Sequence, residues 1–136
     1  MQGQLTPSFG DYELIDTGDF EKLERFGQYV ARRPEPQAIW RRSLPEGEWR
    51  RMADAAFLRD VRSDERGEWR LRPGMPPRWT VAYEYKDMAL RMRLGLTSFK
   101  HVGIFPEQAA NWNFIYDNCR ALASGGAAAM GICLLY

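Results

Sequence analysis

Two alternating runs of residues near the middle of the chain constrain its fold more than any other feature. From position 79 to 85, and again from 88 to 96, large apolar residues alternate with small or polar ones. Successive side chains of a β-strand point to opposite faces, so each run predicts a half-buried strand. The pattern therefore predicts an antiparallel hairpin with one packed face and one exposed face.

Arg91 and Arg93 occupy polar positions of the second run and are expected to project together from the exposed face. The planar guanidinium group presents a fork of donors that suits phosphate oxygens. The chain holds sixteen arginines and only three lysines. This bias is typical of RNA recognition or, alternatively, of a compositional preference with no ligand behind it. We interpret the two arginines as candidate RNA-binding residues.

Two helices are predicted from the spacing of apolar residues. The first covers about 45–60, where five apolar residues fall on one helical face: Trp49, Met52, Ala53, Ala56 and Phe57. The second covers about 106–122, because Pro106 suits the first helical position and Glu107 suits the positive end of the helix dipole.

Shorter patterns assign the remaining segments. They predict a strand at 12–15, a turn at 16–19, a strand pair within 20–30, a linker at 32–36, an edge strand at 67–72 and an extended stretch at 100–105. The fold class is therefore α+β, with a small mixed, largely antiparallel sheet. We expect a flexible arm at 1–10, one domain at 11–122 and an apolar tail at 123–136.

Composition excludes several classes of protein. The 136 residues include 19 basic and 18 acidic side chains, so the net charge of +1 creates no strong field for a polyanion or membrane. One histidine and two cysteines are too few for a zinc site, so no metal is expected. No run approaches the roughly 18–20 apolar residues of a membrane span. We expect a cytoplasmic protein with reduced thiols.

The segment from 97 to 108 carries the most chemistry, because it sets Lys100, His101, Phe105, Glu107 and Gln108 around a strand-to-helix junction. Free N–H groups at a helix start attract anions, and a phenyl ring stacks on flat ligands. A capped helix start needs no ligand, so both interpretations stay open. Neither Ser nor Cys can be assigned to the single histidine as a nucleophile, and no catalytic residue is predicted.

Three strings of sequence resemble a known family. They are Tyr12 to Gly27, Arg32 to Trp40, and Leu90 to Asn113, which contains Phe99-Lys-His-Val-Gly-Ile-Phe-Pro-Glu-Gln108. Each resembles the class I SAM-dependent methyltransferases, in the branch related to the large-subunit ribosomal RNA cytosine methyltransferases. The resemblance covers about residues 11–122, and its last string is specific.

The resemblance implies a small mixed sheet leaning over a Rossmann-like domain, with S-adenosyl-L-methionine (SAM) as the cofactor. It implies that Phe105, Glu107 and Gln108 border the cofactor, with Lys100 and His101 close by. It supplies no catalytic residue within this chain.

The sequence departs from the family after Leu122, where a buried strand and a glycine turn are expected. Gly125-Gly126 comes before any strand here, which predicts truncation ahead of the SAM-binding core. That core would then come from another chain. Three hypotheses stay open: an RNA methyltransferase region inactive alone, a non-catalytic RNA-binding module using Arg91, Arg93 and the loop at 60–78, and a truncated remnant without function.

Overall fold

The computed structural model describes residues 7–63 and 66–124, which build two sheets and two helices. The first sheet has the strand order β1-β2-β3-β4-β5, and β6 and β7 form a separate hairpin. Among the strand pairs of the described residues, β3 and β4 alone run parallel. The α+β class and the largely antiparallel pairing are confirmed. The elements are β1 (Tyr12–Gly18), β2 (Glu21–Phe26), β3 (Tyr29–Pro34), α1 (Glu46–Met52), β4 (Ala55–Arg59), β5 (Gly67–Leu71), β6 (Arg78–Tyr85), β7 (Met88–Gly95) and α2 (Ala109–Ser124).

The predicted hairpin is confirmed, both in its position in the chain and in which of its faces is buried. Its register runs from Arg78 opposite Gly95 to Tyr85 opposite Met88. Apolar residues of β6 are buried on one face, whereas Arg91 and Arg93 are exposed on the other side of β7. The alternation in the sequence predicts the facing correctly because only one face of this hairpin is covered, and a shift of one residue would expose its apolar side chains.

The strand pair predicted within 20–30 is confirmed only in part, because β2 lies inside that span whereas β3 begins at Tyr29 and continues beyond it to Pro34. The turn before the pair is also displaced. β1 continues through Gly18, and the chain reverses at Asp19 and Phe20, which both have positive φ. The predicted linker at 32–36 also begins late, because β3 includes Pro34 as its last residue. Proline is tolerated at a strand end, where its missing N–H removes little pairing.

The helix predicted over 45–60 is confirmed only in its first half. α1 ends at Met52, and the chain continues as β4, in which Ala55 and Phe57 are buried. The apolar spacing of this stretch satisfies both a helical stripe and an alternation. Parallel pairing with β3, in which Ala31 lies opposite Ala55, favours the strand.

Contacts from distant residues hold the boundary between α1 and β4. The Asp54 N–H donates to the Val30 carbonyl, and the Val30 N–H donates to the Asp54 carboxylate at 2.8 Å. The Arg72 guanidinium donates to three carbonyl oxygens at the end of α1, those of Arg50, Arg51 and Ala53. A cation at a helix C-terminus satisfies unpaired carbonyls and the helix dipole together.

The extended stretch predicted at 100–105 is not a strand. Gly103 has a φ of 110°, which interrupts regular pairing, and a backbone bond from the Gly95 N–H to the Val102 carbonyl joins this segment to β7. Val102 and Ile104 are nevertheless buried. The edge strand at 67–72 is confirmed as β5.

The helix predicted over about 106–122 is confirmed, with its end within two residues of the prediction. It opens with a 3₁₀ turn, Pro106–Gln108, and α2 continues to Ser124. Trp112 meets the Tyr83 ring edge-on at 5.3 Å between centroids. The Tyr85 hydroxyl donates to Asp117 at 2.8 Å. The hairpin therefore covers the apolar face of α2.

The main core lies between the inner faces of the sheet and the hairpin. Phe26 and Trp69 from the sheet belong to one buried cluster with Trp79 and Val81 of β6. The Trp79 indole N–H donates to the Phe26 carbonyl at 2.9 Å, so the seam is also hydrogen-bonded.

Residues 7–10 lie within the predicted arm at 1–10, yet Phe9 is buried against Tyr12, Tyr83 and Trp112. Residues 1–6 lie outside the described part of the chain. So do residues 125–136, which make up most of the predicted apolar tail.

A single buried carboxylate, Asp16, joins β1 to the segment before α1. It accepts N–H bonds from Thr17, Ser43 and Leu44 and from the Trp49 indole at 2.8–3.0 Å. Buried anions require such saturation, since an unpaired one is costly. Asp16 therefore fixes α1 against the outer face of the sheet.

We expect Asp16→Asn to destabilise the fold by about 1.5–3 kcal/mol, because the amide turns an NH₂ group toward N–H donors. Urea unfolding followed by tryptophan fluorescence measures the change. Asp19→Asn is the matched control, since Asp19 is exposed and asparagine tolerates its positive φ. Equal unfolding free energies for both variants would contradict the role given to Asp16.

The contribution of Asp16 should also depend on pH. Burial alone raises the pKa of Asp16, but the N–H donors outweigh it and lower that pKa below its usual 3.8. A depressed folded-state pKa gives stability that is complete above 3.8 and is lost as pH falls through the folded value. The stability gap between wild type and Asp16→Asn should stay constant down to about that pH and then shrink. A gap that widens in acid would contradict this.

Candidate functional site

The polar recess is a cavity of about 200 Å³ at the junction of β2, β3 and the segment before α2. Four of the five predicted cofactor residues line it, namely Lys100, His101, Phe105 and Glu107. The sequence string therefore folds into one contiguous wall. The opposite wall comes from the first sheet and consists of Lys22, Arg33, Pro34 and Glu35.

A buried ion pair supports the floor of the polar recess. Arg33 and Glu24 are both buried, and the guanidinium donates to the carboxylate at 2.6 and 3.2 Å. Arg33 also donates to the Lys100 carbonyl at 3.3 Å, so it connects β3 to the segment that carries the predicted residues. The Phe26 ring lies 5.6 Å beneath the guanidinium carbon.

Tyr12 completes this buried network. Its hydroxyl donates to Glu24 at 2.7 Å. Burial, together with the Glu24 charge, raises the pKa of Tyr12 above its usual value. Tyr12 is therefore held as a neutral hydrogen-bond donor, which satisfies the second oxygen of the carboxylate.

The recess presents charges of both signs. Lys22 and Glu35 form an ion pair at 3.1 Å. Burial opposes ionisation of Glu35, but the ion pair with Lys22, the Gln37 N–H and the charge of Lys100 together outweigh it and lower the pKa of Glu35. Within the described ranges, the side chains of Lys100 and Glu107 form no hydrogen bond or ion pair with the protein. Their charges act on neighbouring groups, because Lys100 helps to lower the pKa of Glu35 and Glu107 helps to raise the pKa of Tyr12.

Phe105 separates the polar recess from a second cavity. This apolar recess, of about 360 Å³, lies between β7 and α2 and is lined by Leu90, Met92, Arg93, Gly103, Ile104, Phe105 and Trp112. The Phe105 ring also meets the His101 ring, at 5.4 Å between centroids. One aromatic side chain thus forms part of both cavities.

The remaining predicted site residues, Gln108, Arg91 and Arg93, do not line the polar recess. The side-chain Oε1 of Gln108 accepts a hydrogen bond from the Asn111 side-chain amide at 2.6 Å. Arg91 and Arg93 are both exposed, but only Arg93 lines the apolar recess, where its backbone carbonyl lies close to Gly103. The two arginines are therefore equivalent in the sequence pattern and unequal in the structure.

Residues 7–63 and 66–124 contain neither a grouping of metal-binding side chains nor a helix that could cross a membrane. Within those ranges, no three His, Cys, Asp or Glu side chains are grouped as a metal site requires. Neither helix there combines the length and apolarity that crossing a bilayer demands.

Several residues of the site were missed by the sequence reasoning. Arg33 and Glu35 lay in the predicted linker at 32–36, and Lys22 lay in a weakly patterned stretch. Leu90 and Met92 were assigned to a packed face, which gives no sign of a cavity beside it. Only the three-dimensional meeting of β2, β3, β7 and α2 reveals them.

Comparison with known proteins adds one family name. No protein-family model and no curated protein sequence matches the chain. Among solved structures, the chain is similar to a SAM-dependent methyltransferase from Agrobacterium tumefaciens, with a TM-score of 0.73 and 35% identity. The match covers 84% of this chain and 34% of that enzyme, so the chain spans about a third of its length. The similarity supports the methyltransferase class, and the ribosomal RNA branch stays a prediction.

Removing Arg33 should be more damaging than removing its ion pair. Arg33→Met leaves the Glu24 carboxylate buried without its cation, and we expect a loss of about 3–5 kcal/mol of unfolding free energy. The double variant Glu24→Gln/Arg33→Met removes both charges and keeps an acceptor for Tyr12. It should recover part of the loss in the same urea titration. A double variant as unstable as Arg33→Met would contradict this account of the network.

Proposed function

We propose that the described residues form the substrate-side region of a SAM-dependent methyltransferase that acts on RNA. The similarity to the Agrobacterium methyltransferase, over 84% of this chain, carries the proposal. Its share of that enzyme is only a third, so we further propose that the chain does not turn over without a cofactor-binding domain.

We propose that Lys100, His101, Phe105, Glu107 and Gln108 border the SAM pocket. SAM supplies an electrophilic methyl group and carries a carboxylate, an ammonium group and a flat adenine. The cation of Lys100 and the anion of Glu107 match its two charged groups, and Phe105 offers a ring for stacking. The polar recess, at about 200 Å³, is smaller than most ligand pockets, which agrees with its being one wall of a larger site.

A chimeric enzyme tests this proposal. Residues 1–124 replace the matched third of the Agrobacterium enzyme, and SAM binding is measured by calorimetry. We expect Phe105→Ala/Glu107→Ala to weaken SAM binding about tenfold, equal to about 1.4 kcal/mol. The control is Phe114→Ala/Glu68→Ala, which removes an exposed ring and an exposed carboxylate that line neither recess.

Two results of the chimera experiment would contradict the proposal. The first is a folded chimera whose affinity for SAM is unchanged by the Phe105→Ala/Glu107→Ala pair. The second is methyl transfer from labelled SAM by the 136-residue chain alone, which would show that no further domain is needed.

The exposed face of β7 favours a second candidate, a non-catalytic RNA-binding module. Arg91 and Arg93 stand opposite Ala82 and Thr80 across the hairpin, and neither forms an ion pair in the described part of the chain. Adjacent cations with no internal partner can neutralise neighbouring phosphates.

Salt dependence measures this contribution. If the two arginines each contact one phosphate, Arg91→Gln/Arg93→Gln should lower the slope of log affinity against log salt for RNA by about 2. Arg70→Gln serves as the control, since Arg70 is exposed on β5 in the other sheet. An unchanged slope in the double variant would exclude this surface as a phosphate contact.

A further inference from the structure

Three large apolar residues stand exposed together at one end of the first sheet. Phe20 lies in the β1–β2 turn, and Ile39 and Trp40 lie in the segment between β3 and α1. The Phe20 N–H donates to the Ala38 carbonyl at 2.8 Å. The Asp19 N–H donates to the Trp40 carbonyl at 2.7 Å, so the turn and the segment lie side by side. Clustered exposed apolar residues mark interaction sites, and we call Phe20, Ile39 and Trp40 the aromatic tip.

The backbone of the aromatic tip is strained where it presents Phe20. Asp19 and Phe20 are the two central residues of the hairpin turn, with φ angles of 49° and 65°. A two-residue turn in which both φ angles are positive favours Asn-Gly or Asp-Gly, because glycine has no Cβ to clash. A phenylalanine in that conformation is unusual and costs free energy. Glycine at position 20 would serve folding better, which indicates a role for the phenyl ring outside folding.

Trp40 is ordered although it is half exposed. Its indole N–H donates to the Thr17 carbonyl at 2.8 Å, which fixes the ring at the end of β1. The chain that follows passes directly over Gly18, where a Cβ would clash with the backbone of Arg41 and Arg42. The ring is therefore held in place before any partner arrives, and this lowers the entropy cost of binding.

The acidic side chains beside the aromatic tip are already neutralised. Asp19 of the turn pairs with Arg42 at 3.1 Å. Glu35, whose N–H donates to the Phe20 carbonyl, pairs with Lys22 at 3.1 Å. Neither carboxylate therefore presents an unpaired negative charge to a partner.

Arg41 adds a positive charge next to the rings. It directly follows Trp40, is exposed, and forms no hydrogen bond or ion pair within residues 7–63 and 66–124. Single-stranded RNA matches both properties, because an unpaired base stacks on an aromatic ring and a phosphate accepts hydrogen bonds from a guanidinium group. A second copy of the chain matches them poorly, since a symmetric contact would bring a second unpaired Arg41 to the same surface.

The aromatic tip adjoins the polar recess. The Glu35 N–H donates to the Phe20 carbonyl at 2.8 Å, and Glu35 lines that recess. Lys22, which lines it as well, comes two residues after Phe20. A strand bound at the aromatic tip would therefore lie beside the wall for which SAM is proposed.

We propose that the aromatic tip is a stacking platform for unpaired bases of an RNA substrate, with Arg41 contacting a phosphate of the same strand. The inference rests on the proposed function and deepens it, because it identifies the bound part of the substrate as a single-stranded segment. Double-stranded RNA is disfavoured, since its bases already stack on one another and offer no open face.

Tryptophan fluorescence of the full 136-residue chain tests the proposal. Trp40 is 52% exposed, whereas the other four tryptophans are at most 9% exposed. The probe is a mixed-sequence RNA about eight nucleotides long, and its control is the same strand annealed to its complement. We expect the single strand to quench the fluorescence saturably, because a stacked base quenches the indole that it covers. The duplex should bind about tenfold more weakly.

Variants of the aromatic tip separate stacking from stability. Trp40→Ala should weaken binding of labelled RNA about tenfold by fluorescence anisotropy, and Trp40→Phe should restore part of it. Phe20→Gly should also weaken binding, yet it should raise the urea midpoint, because glycine adopts the positive φ without strain. Phe114→Ala removes an exposed ring of α2 and should leave the RNA affinity unchanged.

The salt dependence of binding tests Arg41. Arg41→Gln should lower the slope of log affinity against log salt by about 0.7, the value for one phosphate of a single strand. Arg70→Gln is the matched control, since Arg70 is exposed on β5 at the opposite edge of the first sheet. It should leave the slope unchanged.

Four outcomes overturn the inference. They are the absence of saturable quenching, equal affinity for the duplex, unchanged RNA affinity in Trp40→Ala, and a lower urea midpoint in Phe20→Gly, which would show that this ring serves folding. Self-association that Trp40→Ala abolishes would also overturn it, because the surface would then belong to a second copy. If RNA binding fails while the chimera still loses SAM affinity through Phe105→Ala/Glu107→Ala, the proposed function stands without this platform.

Discussion

The buried ion pair between Glu24 and Arg33 is the interaction on which the candidate site depends. Two charges withdrawn from water are tolerated only where every oxygen and N–H finds a partner. Tyr12 and the Lys100 carbonyl complete that set, and they come from opposite ends of the chain. The requirement for saturation therefore ties β1, β2 and β3 to the segment before α2. A cation that is needed for packing also sets the shape of a ligand wall.

Local pattern was sufficient where neighbours in sequence are neighbours in space. The β6–β7 hairpin and α2 follow directly from alternation and from Pro106, because their decisive contacts are local or within one hairpin. β4 could not be predicted in the same way. Its strand character comes from parallel pairing with β3 and from the cap that Arg72 places on α1. Such partners lie outside any window in which periodicity is judged.

The residues of the candidate site also fall into two groups, those that are close in sequence and those that only tertiary packing brings together. Lys100, His101, Phe105 and Glu107 belong to one string, so a resemblance over that string was enough to name them. Their counterparts in the first sheet and beneath α2 are brought in by tertiary packing and have no signature of their own. Arg93 shows the limit most clearly, because alternation makes it equal to Arg91 and only the position of the 102–105 segment distinguishes them.

The hydrogen bond from Arg33 to the Lys100 carbonyl spans 67 residues. A contact of that sequence separation closes a long loop, and its entropy cost is met only after more local pairings are in place. The β2–β3 turn and the β6–β7 hairpin can each form early, since their strands are adjacent in the chain. The wall of the polar recess forms when those two units dock. We therefore expect this wall to assemble late in folding, after both halves of the domain have formed.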